Sequence, residues 1–156
     1  MIIIVKRSRK SRVLSSQKKQ FFSNESSHLY AYITTALFAA LVGTYLDLIF
    51  VGAGMYHFPV RLFPELFTIN IVFTLFFLPL FTVLFLLVAK RVPPFVRAAT
   101  IIVISAGVFF AEHFAEQLGW FQHGTNWNHV YSLIGYMLFL CLIWKLFLVF
   151  SSFRKR

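Results

Sequence analysis

From Leu66 to Ala89 the chain contains no Asp, Glu, Lys or Arg. A hydrocarbon core of about 30 Å is spanned by about 20 mostly apolar helical residues, so this run by itself predicts a transmembrane helix. Three other stretches fit the same template. One covers about 30–51 with Asp47 as its only formal charge; another covers about 96–119, clean through Ala111 and then interrupted by Glu112, His113 and Glu116; the last covers about 129–150 and carries Lys145. The fold class expected is therefore all-α: a polytopic membrane protein with four transmembrane helices in a compact bundle. Composition closes off the soluble alternative. Only 13% of the 156 residues are charged, against roughly 25% in soluble domains. A chain of this size has too little interior to hide 21 Phe, 6 Tyr and 3 Trp together with its aliphatics.

Positive charge sets the orientation, because Lys and Arg in short flanks stay on the cytoplasmic side. Lys6, Arg7, Arg9, Lys10, Arg12, Lys18 and Lys19 precede the first span; Lys90, Arg91 and Arg97 flank the link between the second and third; Arg154, Lys155 and Arg156 end the chain. The other two links carry only Arg61 between them. Both termini are thus expected in the cytoplasm, with the protein multi-pass in the cell membrane and Lys145 snorkelling toward the inner face. The organisation expected is a basic, disordered tail over 1–28, a membrane domain over 29–153 and a basic end over 154–156. Most of the formal net charge of +10 then marks topology, which removes the case for nucleic acid. Lys6, Arg7, Arg9, Lys10 and Arg12 are the residues expected to touch anionic lipid, at roughly 1 kcal/mol per cation at the surface. A membrane-protein partner and self-association stay open.

With that orientation, the acids and histidines gather on the outer side. Of 5 acidic residues only Glu25 lies toward the cytoplasm. The expected polar cluster is Asp47, Glu65, Glu112, His113, Glu116 and His129. Glu112 and Glu116 are four residues apart and share a helix face, with His113 three residues before Glu116. Glu112 stands roughly 22 Å above Arg97 along a helix, in the outer third of the core, where a carboxylate still needs a partner. Three resolutions are open. His113, Glu112, Glu116 and His129 hold a divalent metal such as Zn, Mn or Fe, the one cofactor the cluster admits. Alternatively Glu112 and Glu116 share a proton and serve as acid and base. In the third, the group is polar glue fixing helix register, bonded to Thr68, Asn70, Asn126, Trp127, Asn128 and Tyr131.

Other residues have plainer expected roles. Arg61 is the natural counter-ion of Glu65, Asp47 a helix-end hydrogen-bonding group, His57 and His123 solvated loop residues. Tyr56, Trp120, Trp127 and Tyr131 fit an outer interfacial belt. Ala36, Ala40 and Gly43, and separately Gly107, Ala111 and Ala115, form small-residue strips for close helix packing; Pro79 is placed to kink the second span. The lone Cys141 excludes an intramolecular disulfide and multi-cysteine metal motifs, and packing is its expected role. No phosphate loop, nucleophile elbow or paired-histidine zinc helix is present.

Asp47, the link Tyr56-His57-Phe58-Pro59 to Phe63-Pro64-Glu65, Pro79, Glu112, Leu118-Gly119-Trp120 and Trp127-Asn128-His129-Val130-Tyr131-Ser132 follow one another in an order that resembles a family of small integral membrane proteins of spore-forming bacteria. The resemblance implies a four-helix membrane fold and no activity. The leading functional expectation is an accessory, structural or sensing membrane protein whose outward polar cluster is structural first, with a metal or protons as its candidate ligands. The alternative is a membrane-embedded enzyme acting on a lipid or isoprenoid headgroup, with Glu112 and Glu116 as catalytic acid and base.

Overall fold

The structure is a computed structural model that describes residues 29–125 and 127–153; the expected lipid-contacting residues Lys6 to Arg12, Asn126 and the basic end 154–156 lie outside them. Four helices account for most of it: α1, Leu29–Gly52; α2, Phe73–Ala89; α3, Pro94–Gln117; and α4, His129–Phe153. Two short strands, β1 (Tyr56–His57) and β2 (Gln122–His123), pair antiparallel with Tyr56 opposite His123 and His57 opposite Gln122. The pairing brings the link after α1 and the link after α3 to one end of the bundle, the loop end. At the other end, Ala31 of α1, Ala89 of α2, Ile101 of α3 and Phe147 of α4 meet in one apolar cluster. The helices therefore run alternately up and down.

Both strands are delivered by the same device. Beyond α1, Gly54 takes a left-handed φ of 69°, with Met55 N–H donating to Phe50 O (2.9 Å) and Gly54 N–H to Val51 O (3.0 Å). Beyond α3, Gly119 at φ 73° repeats the pattern, with Trp120 N–H on Ala115 O and Gly119 N–H on Glu116 O, each 2.9 Å. These are Schellman closures, in which glycine accepts the positive φ without a Cβ clash. The two loops then touch through Gly124, whose N–H donates to Met55 O at 2.7 Å. A Cβ on Gly124 would stand 2.5 Å from Gly54 O.

Three helices, α1, α3 and α4, are long and apolar enough to cross a membrane. Their outward faces carry the surface such a setting requires: Leu41, Phe110 and Leu138 are about two-thirds exposed. Apolar surface on this scale is not what a monomeric soluble domain shows water. Cys141 sits on this exposed surface and not in packing. Helix α2 departs from the expected run of 66–89 by starting later. Residues 66–70 turn instead, because Arg61 donates to three backbone carbonyls, of Phe58 (2.6 Å), Pro64 (3.1 Å) and Phe67 (2.6 Å), and Asn70 Oδ1 accepts Phe73 N–H at 3.3 Å as a cap. Arg61 is thus a loop organiser; among the described residues it makes no ion pair with Glu65.

Within α2, Phe73–Phe77 form a π-turn before the α-helix Leu78–Ala89. Pro79 supplies no N–H and its ring crowds the preceding turn, so widening that turn relieves it. At the opposite end, Arg97 closes the α2–α3 link by donating to Ala89 O (2.9 Å) and Val92 O (3.1 Å). Its guanidinium lies 3.8 Å from the Trp144 ring centroid, tying α4 to the same corner. The small-residue strips divide. Ala36 and Ala40 are buried and Gly43 abuts Leu78, as close packing requires, whereas Gly107 faces open space and Ala111 and Ala115 line a cavity.

Candidate functional site

The loop end is where the polar residues converge. Asn128 caps α4, its Oδ1 accepting Val130 N–H at 3.0 Å, so His129 begins the helix. The last turns of α3 present Glu112, His113 and Glu116 to that start, where the positive end of the α4 dipole favours carboxylates. His129 is the hub. Its Nε2 lies 3.1 Å from Glu116 Oε2 and its Nδ1 lies 3.8 Å from Glu112 Oε2. The ring centroids of His113 and His123 are 5.7 and 4.9 Å from that of His129. His123 also meets Glu116 directly, through Nδ1 and Oε1. One donor atom each from His113, Glu116 and His129 falls within 4.8 Å of the others.

Although Glu112 and Glu116 share a helix face, they enter different surroundings. Glu116 points to the loops and is held by His123 and His129. Glu112 turns inward to a cavity of about 730 Å³ between the four helices. Asp47 lines that cavity from α1, and its Oδ1 accepts the Tyr56 hydroxyl at 2.6 Å. Burial first, and the Asp47 charge second, push the Tyr56 hydroxyl far above the ordinary phenol range, so it stays a donor. Tyr56 is itself packed on by Phe50, Phe121 and Trp127, at ring centroid distances of 6.0, 5.3 and 5.2 Å.

Of the six residues expected in the cluster, Glu112, His113, Glu116 and His129 come together, and Asp47 joins Glu112 across the cavity wall. Glu65 does not; it is exposed in the first loop, without a hydrogen bond or ion pair among the described residues. His123, expected in solvent, belongs to the group because β1–β2 pairing folds the second loop back over Glu116. His57, opposite Gln122 on the ladder, is exposed. Two aromatics expected in the belt are structural walls instead: Tyr56 is only 7% exposed and the Trp127 indole nitrogen is buried. Trp120 and Tyr131 remain exposed, as a belt requires. Tyr136 lines the same cavity. No local spacing marked Tyr136 or His123.

The chemistry open to this arrangement is binding of a cation at the rim, with two imidazoles and a carboxylate as donors. Glu112 and Glu116 approach opposite nitrogens of the same His129 ring. No protein family, curated protein or solved structure matches the chain.

Proposed function

We propose that the chain is a multi-pass protein of the cell membrane, crossing it four times with both termini in the cytoplasm, and that its outward loop end binds a divalent transition metal. The observation that carries the metal reading is the approach of donor atoms from His113, Glu116 and His129 to within 4.8 Å. A zinc ion with bonds of about 2.0–2.1 Å to nitrogen fits among them after small side-chain rotations. Three protein donors leave a fourth position, available to water or to His123. Glu112 supplies the outer support. With one nitrogen of His129 on the metal, the other faces a carboxylate, the arrangement that fixes tautomer and ring orientation in zinc sites.

The positive charges beyond α2 and around the termini support the orientation. Helix α2, about 25 Å long over Phe73–Ala89, completes a fourth crossing together with the capped turn before it. The resemblance of the ordered residue pattern to small membrane proteins of spore-forming bacteria supports the same architecture and adds no activity. Metal capture at the outer face fits an accessory or sensing role.

The test is a zinc titration of the detergent-purified chain against a chromophoric chelator. Equimolar zinc, bound much more weakly in both His113→Ala and His129→Ala and unchanged in His57→Ala, is the expected result. Absence of stoichiometric zinc in the wild type would remove the metal from the account.

A further inference from the structure

The cavity between the helices has a chemistry of its own, separate from the rim. Its walls are mostly hydrocarbon and aromatic, contributed by residues such as Leu46, Phe50, Phe73, Val108, Phe139 and Leu142. Into them project two carboxylates, Asp47 and Glu112, while among the described residues no Lys, Arg or His lines it. His129 approaches Glu112 only from the rim side, at 3.8 Å. One oxygen of each carboxylate, Asp47 Oδ2 and Glu112 Oε2, is buried without a hydrogen-bond partner among the described residues.

Two further polar groups share this wall. Ser132 is 5% exposed, lines the cavity, and its hydroxyl lies beside Glu112 without meeting it in hydrogen-bond geometry. The buried Trp127 Nε1 on the same wall is likewise unpartnered. Buried charge left without a partner is costly, so a cation facing the two carboxylates would be well bound.

Each class of occupant meets these walls differently. An anion would bring a third negative charge among the carboxylates. A neutral hydrocarbon would fill the volume and leave the carboxylate oxygens unpaired. A small hydrated metal ion would lose its water to a wall that offers few replacements. An organic cation with an apolar body satisfies both features: its charge faces Asp47 and Glu112, and its body packs on Phe50, Tyr56 and Trp127, whose ring faces attract cations. The volume of about 730 Å³ lies within the 300–1,000 Å³ or so of small-molecule pockets.

We propose that this cavity is a binding site for lipophilic organic cations, of the quaternary ammonium or phosphonium type, with Asp47 and Glu112 as its charge-recognising residues. Glu112 serves both the cavity and, through His129, the rim, so the two sites are read by separate titrations.

The experiment titrates tetraphenylphosphonium into the full chain in a non-ionic detergent, following calorimetry and the fluorescence of Trp120 and Trp127. Tetraphenylborate, close in shape and opposite in charge, is the comparator. Saturable phosphonium binding at least tenfold tighter than borate is expected, with Asp47→Asn and Glu112→Gln each weakening it fivefold or more. Equal binding of phosphonium and borate by the wild type would overturn the proposal, and that comparison requires no variant to fold. So would unchanged phosphonium affinity in the double variant Asp47→Asn/Glu112→Gln with its helical circular dichroism intact. Zinc bound without phosphonium removes the cavity site alone; phosphonium bound without zinc removes the rim site alone.

Discussion

Replacing Tyr56 by Phe removes one atom from the best-defined polar contact of the loop end. The Tyr56 hydroxyl donates to Asp47 Oδ1 at 2.6 Å, while the ring keeps its contacts with Phe50, Phe121 and Trp127. The carboxylate is left with both oxygens unpartnered, since Oδ2 has no partner among the described residues already. Hydrogen bonds to charged groups contribute roughly 1.5–3 kcal/mol in soluble proteins, whereas interhelical ones in membrane proteins average about 0.6 and reach about 1.7 kcal/mol. The Tyr56–Asp47 contact is buried but lies where a helix meets a loop, so a loss of about 1–2 kcal/mol is expected. Unfolding of wild type and variant by denaturant in mixed micelles, followed by far-ultraviolet circular dichroism, measures it. A change below about 0.3 kcal/mol, within the scatter of independent sites, would refute the reasoning. The pH dependence gives a second handle. Folding raises the Tyr56 pKa, so its contribution is complete below about pH 10, the ordinary phenol value, and is lost as pH rises beyond it. Wild type should therefore lose stability above that pH more steeply than Tyr56→Phe.

Glu112→Gln, which removes the carboxylate 3.8 Å from His129 Nδ1, is expected to weaken zinc binding about 10–100-fold without abolishing it; competition with a chelator measures the change. Gly124→Ala places a Cβ against backbone, 2.5 Å from Gly54 O, and should cost about 1–3 kcal/mol by forcing the paired loops apart, read by the same unfolding assay. With Cys141 replaced by Ser, a cysteine placed at His57 should react with a membrane-impermeant maleimide in intact cells; reaction only after the membrane is opened would reverse the orientation.

Sequence alone carried the helices well because their signal is local. A charge-free run and acids spaced by four on one helix are each visible within a window of a few turns. The acid and histidine group on α3 and its approach to His129 followed from the same local reading, joined to the expectation that spans alternate in direction. What escaped depended on contacts between distant loops. His123 reaches Glu116 only because two strands of two residues each pair across the bundle end, while Tyr56 reaches Asp47 because the chain reverses at Gly54. Arg61 was misassigned for a related reason: proximity in sequence favoured Glu65, but three backbone carbonyls outcompete an exposed ion pair. The late start of α2 was hidden because apolar residues fill the turn at 66–70 as they would fill a helix; only the Asn70 cap distinguishes the two.

The central claim is that His113, Glu116 and His129 form a metal centre. X-ray absorption at the zinc edge of the purified, zinc-loaded chain tests it most directly. The account predicts at least two imidazole ligands at about 2.0–2.1 Å with the Glu116 oxygen in the shell, and one imidazole fewer in His113→Ala. An all-oxygen shell, or a spectrum unchanged by that substitution, would contradict it.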